Sequence, residues 1–392
     1  MSRIKARLLA AAALAFPATV TTASASSYRV VYSFPAKRAE IRHGRTPEAG
    51  LVSVHGKLYG TTLYGGGANS GVVFSVKPTS GVEKIVFPFP DGGSDGDSPN
   101  GLINAGGTLY TTTNFGGIGF GAVYSINPGT RSATELYSFQ GGSDGENPFA
   151  GVINVGGMLY GTTIQGGGGP CSIGCGTVFS VNPATGAEAV VYAFQGGSGG
   201  YYPAASLIDV AGTLYGTTQS GGAGSCTGGC GTVFAVNPAT GAETVVYAFQ
   251  GGSDGFMPTA SLIDVGGTLY GTTEVGGAAT VGTVFSLNPT TGAETVVHSF
   301  GEGSDGVYPS SSLLRVGDLL YGATRAGGSG HEGTLFSVSV KTGTETVLHA
   351  FTGGTDGANA SGSLTNVAGT LYGTTSGLGY NQSFGTVYAY TP

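Results

Sequence analysis

The sequence predicts an all-β protein, a seven-bladed β-propeller with four strands in each blade. Three observations predict it. Leu-Tyr-Gly-Thr-Thr, or a close variant, recurs with its tyrosine at Tyr59, Tyr110, Tyr160, Tyr215, Tyr270, Tyr321 and Tyr372, spaced 51, 50, 55, 55, 51 and 51 residues apart. A fixed period near fifty marks a repeat architecture. Each repeat holds four short apolar runs and none of helix length. The two ends of the chain each carry part of one repeat, and the parts complement one another.

The unit spanning 260–306 shows the elements in order. Strands are expected over 261–265, 268–273, 283–288 and 294–300, where β-branched, aromatic and aliphatic residues lie between Gly, Pro and Asn. Gly266-Gly267 can turn between the first pair, and Pro289-Thr290-Thr291-Gly292 between the last pair. In the fourth strand of another unit, Val190, Tyr192 and Phe194 alternate with Val191 and Ala193. That pattern predicts burial on both faces, which stacked blades provide.

The chain ends set the number of blades. Residues 28–34 match a fourth strand and residues 385–390 match a third strand. Pairing the two completes a seventh sheet and removes an open edge. A parallel β-solenoid, the rival reading, has no use for this offset and calls for polar capping repeats.

Length alone suggests two or three domains, but the repeat points to one, over residues 26–392. Glycine supplies 76 of 392 residues and recurs at turn positions, which reads as backbone geometry. Residues 1–25 read as a signal peptide: Arg3, Lys5 and Arg7, then an apolar stretch over 8–16, then Ala23-Ser24-Ala25. Removing them takes away three basic residues and no acidic ones, moving the net charge from −7 to −10. A charge of that sign disfavours nucleic acid and anionic membrane as partners. The expected product is exported, periplasmic or extracellular, monomeric, and without a transmembrane segment or C-terminal anchor.

Cys171/Cys175 and Cys226/Cys230 sit in the loops between second and third strands of the two repeats that are 55 residues long. In an oxidising compartment two intra-loop disulfides are expected. A zinc site shared by both pairs is the other reading; no His or Asp flanks them.

Together these residues resemble the GloVer-type tandem repeat family of "choice-of-anchor" proteins. The resemblance rests on residues 267–273, Gly276-Gly277, residues 282–285, Pro289, and Asp254-Gly255 with Pro258. It covers residues 28–392. It implies an exported repeat protein and no particular activity. Members of that family often carry a C-terminal surface anchor; none is expected here, which leaves surface attachment unsupported. The period and Gly-Gly pairs are also similar to kelch repeats, without the kelch tryptophan.

The candidate sites lie in the loops between strands two and three and between one blade and the next, which share one face of a propeller. Asp95, Asp144, Asp254, Asp305 and Asp356 occupy equivalent Ser/Thr-Asp-Gly positions. They can cap local backbone donors, or contact a cation. Tyr64, Phe115, Phe149, Tyr201, Tyr202, Phe256, Tyr308 and Tyr380 crowd the same loops and can stack on sugars or pack between blades. Residues 37–45, including Arg42 and His43, form the basic cluster of the expected product. Arg325, His331 and Glu332 lie on a loop of the sixth blade. His298 and His349 replace a fourth-strand tyrosine and are expected between blades. The Thr-Thr pairs are expected to bond within the sheets.

Two functions follow. A non-enzymatic exported propeller would bind carbohydrate or a protein through one face, with no metal and no cofactor. A polysaccharide lyase or glycoside hydrolase would need catalytic groups that break the repeat symmetry, and the departures here are few. A quinone or haem oxidoreductase is disfavoured by the absence of tryptophan and of a haem motif.

Overall fold

The computed structural model describes residues 26–35, 43–89, 97–301, 304–377 and 384–392. Within them the chain forms seven antiparallel sheets in a ring, a β-propeller. Blade three shows the pattern: Ile153–Val155, Met158–Thr163, Thr177–Val181 and Glu188–Ala193, side by side in chain order. Blades two and six each add one short strand, Asp97–Pro99 and Gly306–Pro309. The expected strands of the 260–306 unit appear as Ile263–Val265, Thr268–Thr273, Thr283–Leu287 and Glu294–Ser299.

The ring closes as the chain ends predict. Ser27–Ser33 pairs with Thr386–Thr391, with Tyr28 opposite Tyr390 and Val30 opposite Tyr388. The strand supplies the outer edge of blade seven, and that blade then docks on blade one. Thr374 Oγ1 donates to the Ala49 carbonyl at 3.0 Å and Ser361 Oγ to the Glu48 carbonyl at 3.4 Å.

The expectation that the fourth strand is buried on both faces needs correction. It is the outermost strand of its blade and largely half-buried, and Val190 is 37% exposed. Its unbroken apolar run reflects a β-bulge: Tyr192 opposes Val178 while Val190 opposes Phe179, which leaves Val191 unpaired. The same shift recurs in all seven sheets. An extra residue breaks the two-residue alternation, so an apolar run here is not a two-faced burial signal.

The deep core lies between blades. The phenylalanine that ends each fourth strand meets an aromatic residue on the third strand of the next blade. Phe249 and Phe285 stand 5.1 Å apart edge to face, and both are fully buried. Phe34–Phe74, Phe89–Tyr124 and four further pairs repeat the contact around the ring. This packing explains the glycine of Leu-Tyr-Gly-Thr-Thr. A Cβ on Gly271 would lie 2.6 Å from Phe285 Cζ, so only a bare backbone leaves room for the ring. In blades three to seven the second threonine bonds across its own sheet, as Thr273 Oγ1 does with Thr283 Oγ1 at 2.8 Å. In blades one, two, three and seven the first threonine reaches the next blade, as Thr162 does to the Ala205 carbonyl.

One further ring of contacts aims the loops. Thr46, Ser98, Asn147, Tyr202, Met257, Tyr308 and Asn359 all have φ between 54° and 60°. Each donates its backbone N–H to a carbonyl in the preceding blade, Tyr202 to Cys175 at 3.1 Å and Met257 to Cys230 at 3.0 Å. Positive φ costs a non-glycine residue roughly 1–3 kcal/mol, and here a hydrogen bond between blades offsets it. A proline follows six of the seven. Proline Cδ atoms pack against the glycine that opens the third strand of the preceding blade: a Cβ on Gly282 would lie 2.4 Å from Pro309 Cδ.

Candidate functional site

Because each of these prolines or its equivalent turns the chain back toward its own first strand, seven short segments converge near the ring axis. They enclose a cavity of about 570 Å³. All seven blades line it, from Glu48–Gly50 beside blade one to Asn359, Ser361 and Ser363 at blade seven. That volume falls in the range of small-molecule sites. Most of the lining residues are Ser, Thr, Asn, Gln, Gly and Ala. Asn114 Oδ1, Thr259 Oγ1 and Ser310 Oγ, all on lining residues, have no hydrogen-bond partner within the protein. Tyr64, Phe115 and Phe149 add aromatic surface, each between 42% and 51% exposed.

Arg325 is the one lining residue with a permanent positive charge, among the described residues. Its Nη1 lies 3.3 Å from Glu274 Oε1 and its Nε 3.4 Å from Asn359 Oδ1. Glu48 also lines the cavity; burial pushes its carboxyl up, against the opposing pull of the Arg325 charge.

The structure divides the residues that the sequence singled out. Arg325, Tyr64, Phe115 and Phe149 reach the cavity; Tyr201, Tyr202, Phe256 and Tyr308 do not line it. Tyr201 donates to the Gly228 carbonyl at 3.0 Å and stacks edge to face on Tyr202. Phe256 packs on the core cluster around Cys230. Tyr202 and Tyr308 hold positive-φ docking positions, and the Tyr308 ring remains 40% exposed. His331 is exposed while Glu332 is buried, so the two neighbours face different surroundings. Of the basic cluster, Arg42 lies outside the described residues. His43 Nδ1 sits 3.5 Å from Glu83 Oε2, and Arg45 covers the rings of Tyr64 and Phe384. Asp95 and Tyr380 also lie outside the described residues.

The aspartates cap their loops. Asp144 accepts from the Gln140 N–H at 2.6 Å and Asp254 from the Gln250 N–H at 2.5 Å. Asp305 accepts from Gly301 and Gly306, and Asp356 from Thr352. Each also faces the tyrosine or histidine of the fourth strand before it. The Tyr137 hydroxyl donates to Asp144, and the Tyr247 hydroxyl to Asp254. His349 Nε2 lies 3.1 Å from both oxygens of Asp356.

Sequence reasoning missed the third member of this arrangement. The glutamate that begins the next blade's fourth strand meets the aspartate across the blade boundary. Burial, then the Asp144 charge, pushes Glu188 up to about 8. Burial and Asp254 do the same to Glu294. Burial and Asp305 push Glu345 up to about 7, against His298. Burial works against the charge of Asp305, but the His298 ring and two backbone N–H groups outweigh it and hold that carboxyl low.

Both disulfides form within their loops, Cys171–Cys175 and Cys226–Cys230. Cys175 and Cys230 are fully buried, and their carbonyls receive the Tyr202 and Met257 N–H groups. The crosslinks therefore hold the loop atoms on which the next blade docks.

Comparisons with known proteins agree with this architecture. The Gloeobacter/Verrucomicrobia repeat model matches over residues 18–228, 101–279 and 223–392. No curated protein matches. Among solved structures, an oligogalacturonate lyase in complex with manganese is similar over 89% of both chains, with 12% identity and a TM-score of 0.53. At that identity the likeness extends to the fold alone.

Proposed function

We propose that this chain, which belongs to the Gloeobacter/Verrucomicrobia repeat family, is an exported binding propeller that takes carbohydrate in its axial cavity. One observation carries the reading. Seven blades line one cavity with residues that carry hydroxyl, amide and backbone groups, and aromatic rings stand beside it. Sugars present apolar C–H faces and many hydroxyls, which such a lining matches by stacking and hydrogen bonding. Export is supported by the basic, apolar and Ala-Ser-Ala pattern of residues 3–25 and by two disulfides. No helix among the described residues is long and apolar enough to cross a membrane.

The test is a glycan array followed by calorimetry on the best hit. One saturable site is expected, weakened about tenfold or more in Phe115→Ala and Phe149→Ala through loss of stacking. Binding untouched by either change, or capture of a protein and no glycan, would overturn the reading.

A second reading has one observation in its favour: two carboxylates, Glu48 and Glu274, line the same cavity, and Glu48 is raised by burial. Hydrolysis of a glycoside uses such a pair, one protonated and one ionised. Release of new reducing ends from the bound glycan, abolished in Glu48→Gln, would replace a binder by a hydrolase.

A further inference from the structure

At the boundary of blades five and six, three side chains of different elements come together. His298 lies on the fourth strand Glu294–Ser299, Asp305 on the loop that leaves it, and Glu345 begins the fourth strand Glu345–Ala350 of the next blade. One ligand atom from each lies within 4.8 Å of the other two. His298 Nε2 and Glu345 Oε1 are both shielded from solvent and have no hydrogen-bond partner within the protein. His298 Nε2 stands 3.6 Å from Asp305 Oδ2, too far for a good hydrogen bond.

The other boundaries show why this one differs. Where the histidine is replaced by Tyr137 or Tyr247, a phenol proton satisfies the aspartate directly, at 2.9 and 2.8 Å. A phenol is a poor ligand for a divalent ion at neutral pH, since its proton leaves near pH 10. Where His349 is present, Tyr28 takes the position of the glutamate and lies flat on the imidazole. Among the described residues, imidazole and both carboxylates coincide at the one boundary between blades five and six.

We propose that His298, Asp305 and Glu345 form a binding site for one zinc-like divalent transition-metal ion that staples blade five to blade six. One nitrogen and two carboxylate oxygens suit zinc, with a water as fourth ligand. Tetrahedral bonds of about 2 Å place ligand atoms about 3.3 Å apart, so separations of at most 4.8 Å close by up to about 1.5 Å, which half-buried side chains reach by rotation. The N–H groups of Gly301 and Gly306 hold the Asp305 carboxylate from behind, at 2.7 and 2.8 Å, as outer-shell donors orient metal ligands. None of the three residues lines the axial cavity, so the site stands apart from the carbohydrate reading.

The experiment is calorimetric titration of tag-free, chelator-treated protein with Zn²⁺, alongside thermal melts with and without the ion. The parent should bind one ion per chain and melt at a higher temperature when loaded. His298→Tyr installs the residue that blades two, three and four carry at this position, which their sheets accommodate. It should weaken binding at least about tenfold and remove the melting shift. Glu345→Gln should do likewise, while His349→Gln should bind as the parent does. Ca²⁺, which prefers an all-oxygen shell, should not compete. No stoichiometric Zn²⁺ binding, equal binding by His298→Tyr, or loss of binding in His349→Gln would each overturn the proposal.

Discussion

Tyr28 lies flat on His349, ring centroids 3.5 Å apart and planes 9° from parallel. The two residues are 321 positions apart in the chain, and their contact ties the N-terminal strand to blade six. The Tyr28 hydroxyl also donates to the Asp356 carbonyl at 2.9 Å, and burial holds that phenol far above its ordinary pKa. Tyr28 occupies the position that a glutamate holds in the fourth strands of most blades, so the closing strand carries its own boundary contact. Tyr28→Ala should cost about 2–4 kcal/mol, somewhat less than a fully buried aromatic. Chemical denaturation measures it; a loss under about 0.5 kcal/mol would show that the stack contributes little.

The raised glutamates make stability depend on pH. Glu188 and Glu294 titrate at about 8 in the folded protein and near the ordinary carboxylate value when unfolded. Their stabilising contribution is complete below about pH 4.5 and is lost progressively as pH rises toward about 8. Glu188→Gln and Glu294→Gln remove the charge at nearly constant shape. At pH 8 each should be more stable than the parent by about 1 kcal/mol, a figure reduced for partial exposure to solvent. At pH 4.5 the advantage should vanish. Melting curves across that range that run parallel for parent and variants would contradict the raised pKa of these buried glutamates.

The aromatic pairs between blades set two further expectations. Phe249→Ala removes a fully buried ring that sits 5.1 Å from Phe285, and should cost about 3–5 kcal/mol through lost transfer energy and the cavity left behind. Under about 1 kcal/mol would mean the ring is not part of the core.

Gly271→Ala tests the same boundary by overfilling it. Its new methyl would meet Phe285 and Leu262 at 2.6 and 2.8 Å, and should cost about 1–3 kcal/mol. A neutral effect in denaturant titrations would show that the blades can separate to admit it.

Much of the fold was legible because it is local or repeated. Strand positions followed from runs of Val, Ile, Tyr and Thr between glycines, and the closing strand from the likeness of residues 28–34 to residues 245–249. The paired cysteines lay four residues apart, within reach of each other in one loop. The bulge at Val191 was not legible, since an extra residue in a valine run leaves no mark. The axial cavity was only partly legible. Arg325 and the rings of Tyr64, Phe115 and Phe149 stood out by type. Glu48, Asn114, Thr259 and Ser310 are ordinary polar residues from separate repeats, and ring closure alone brings them together. The His298–Asp305–Glu345 cluster hid for the same reason. Its first two members are seven residues apart, but the third sits one repeat away.

Strand complementation tests ring closure, on which the cavity and every boundary depend, most directly. A protein lacking residues 26–34 should melt far below the parent, and a peptide of residues 27–34 added in trans should restore most of the lost melting temperature. If the truncated protein melts like the parent, with no response to the peptide, the sheet formed by Ser27–Ser33 and Thr386–Thr391 does not hold the ring together.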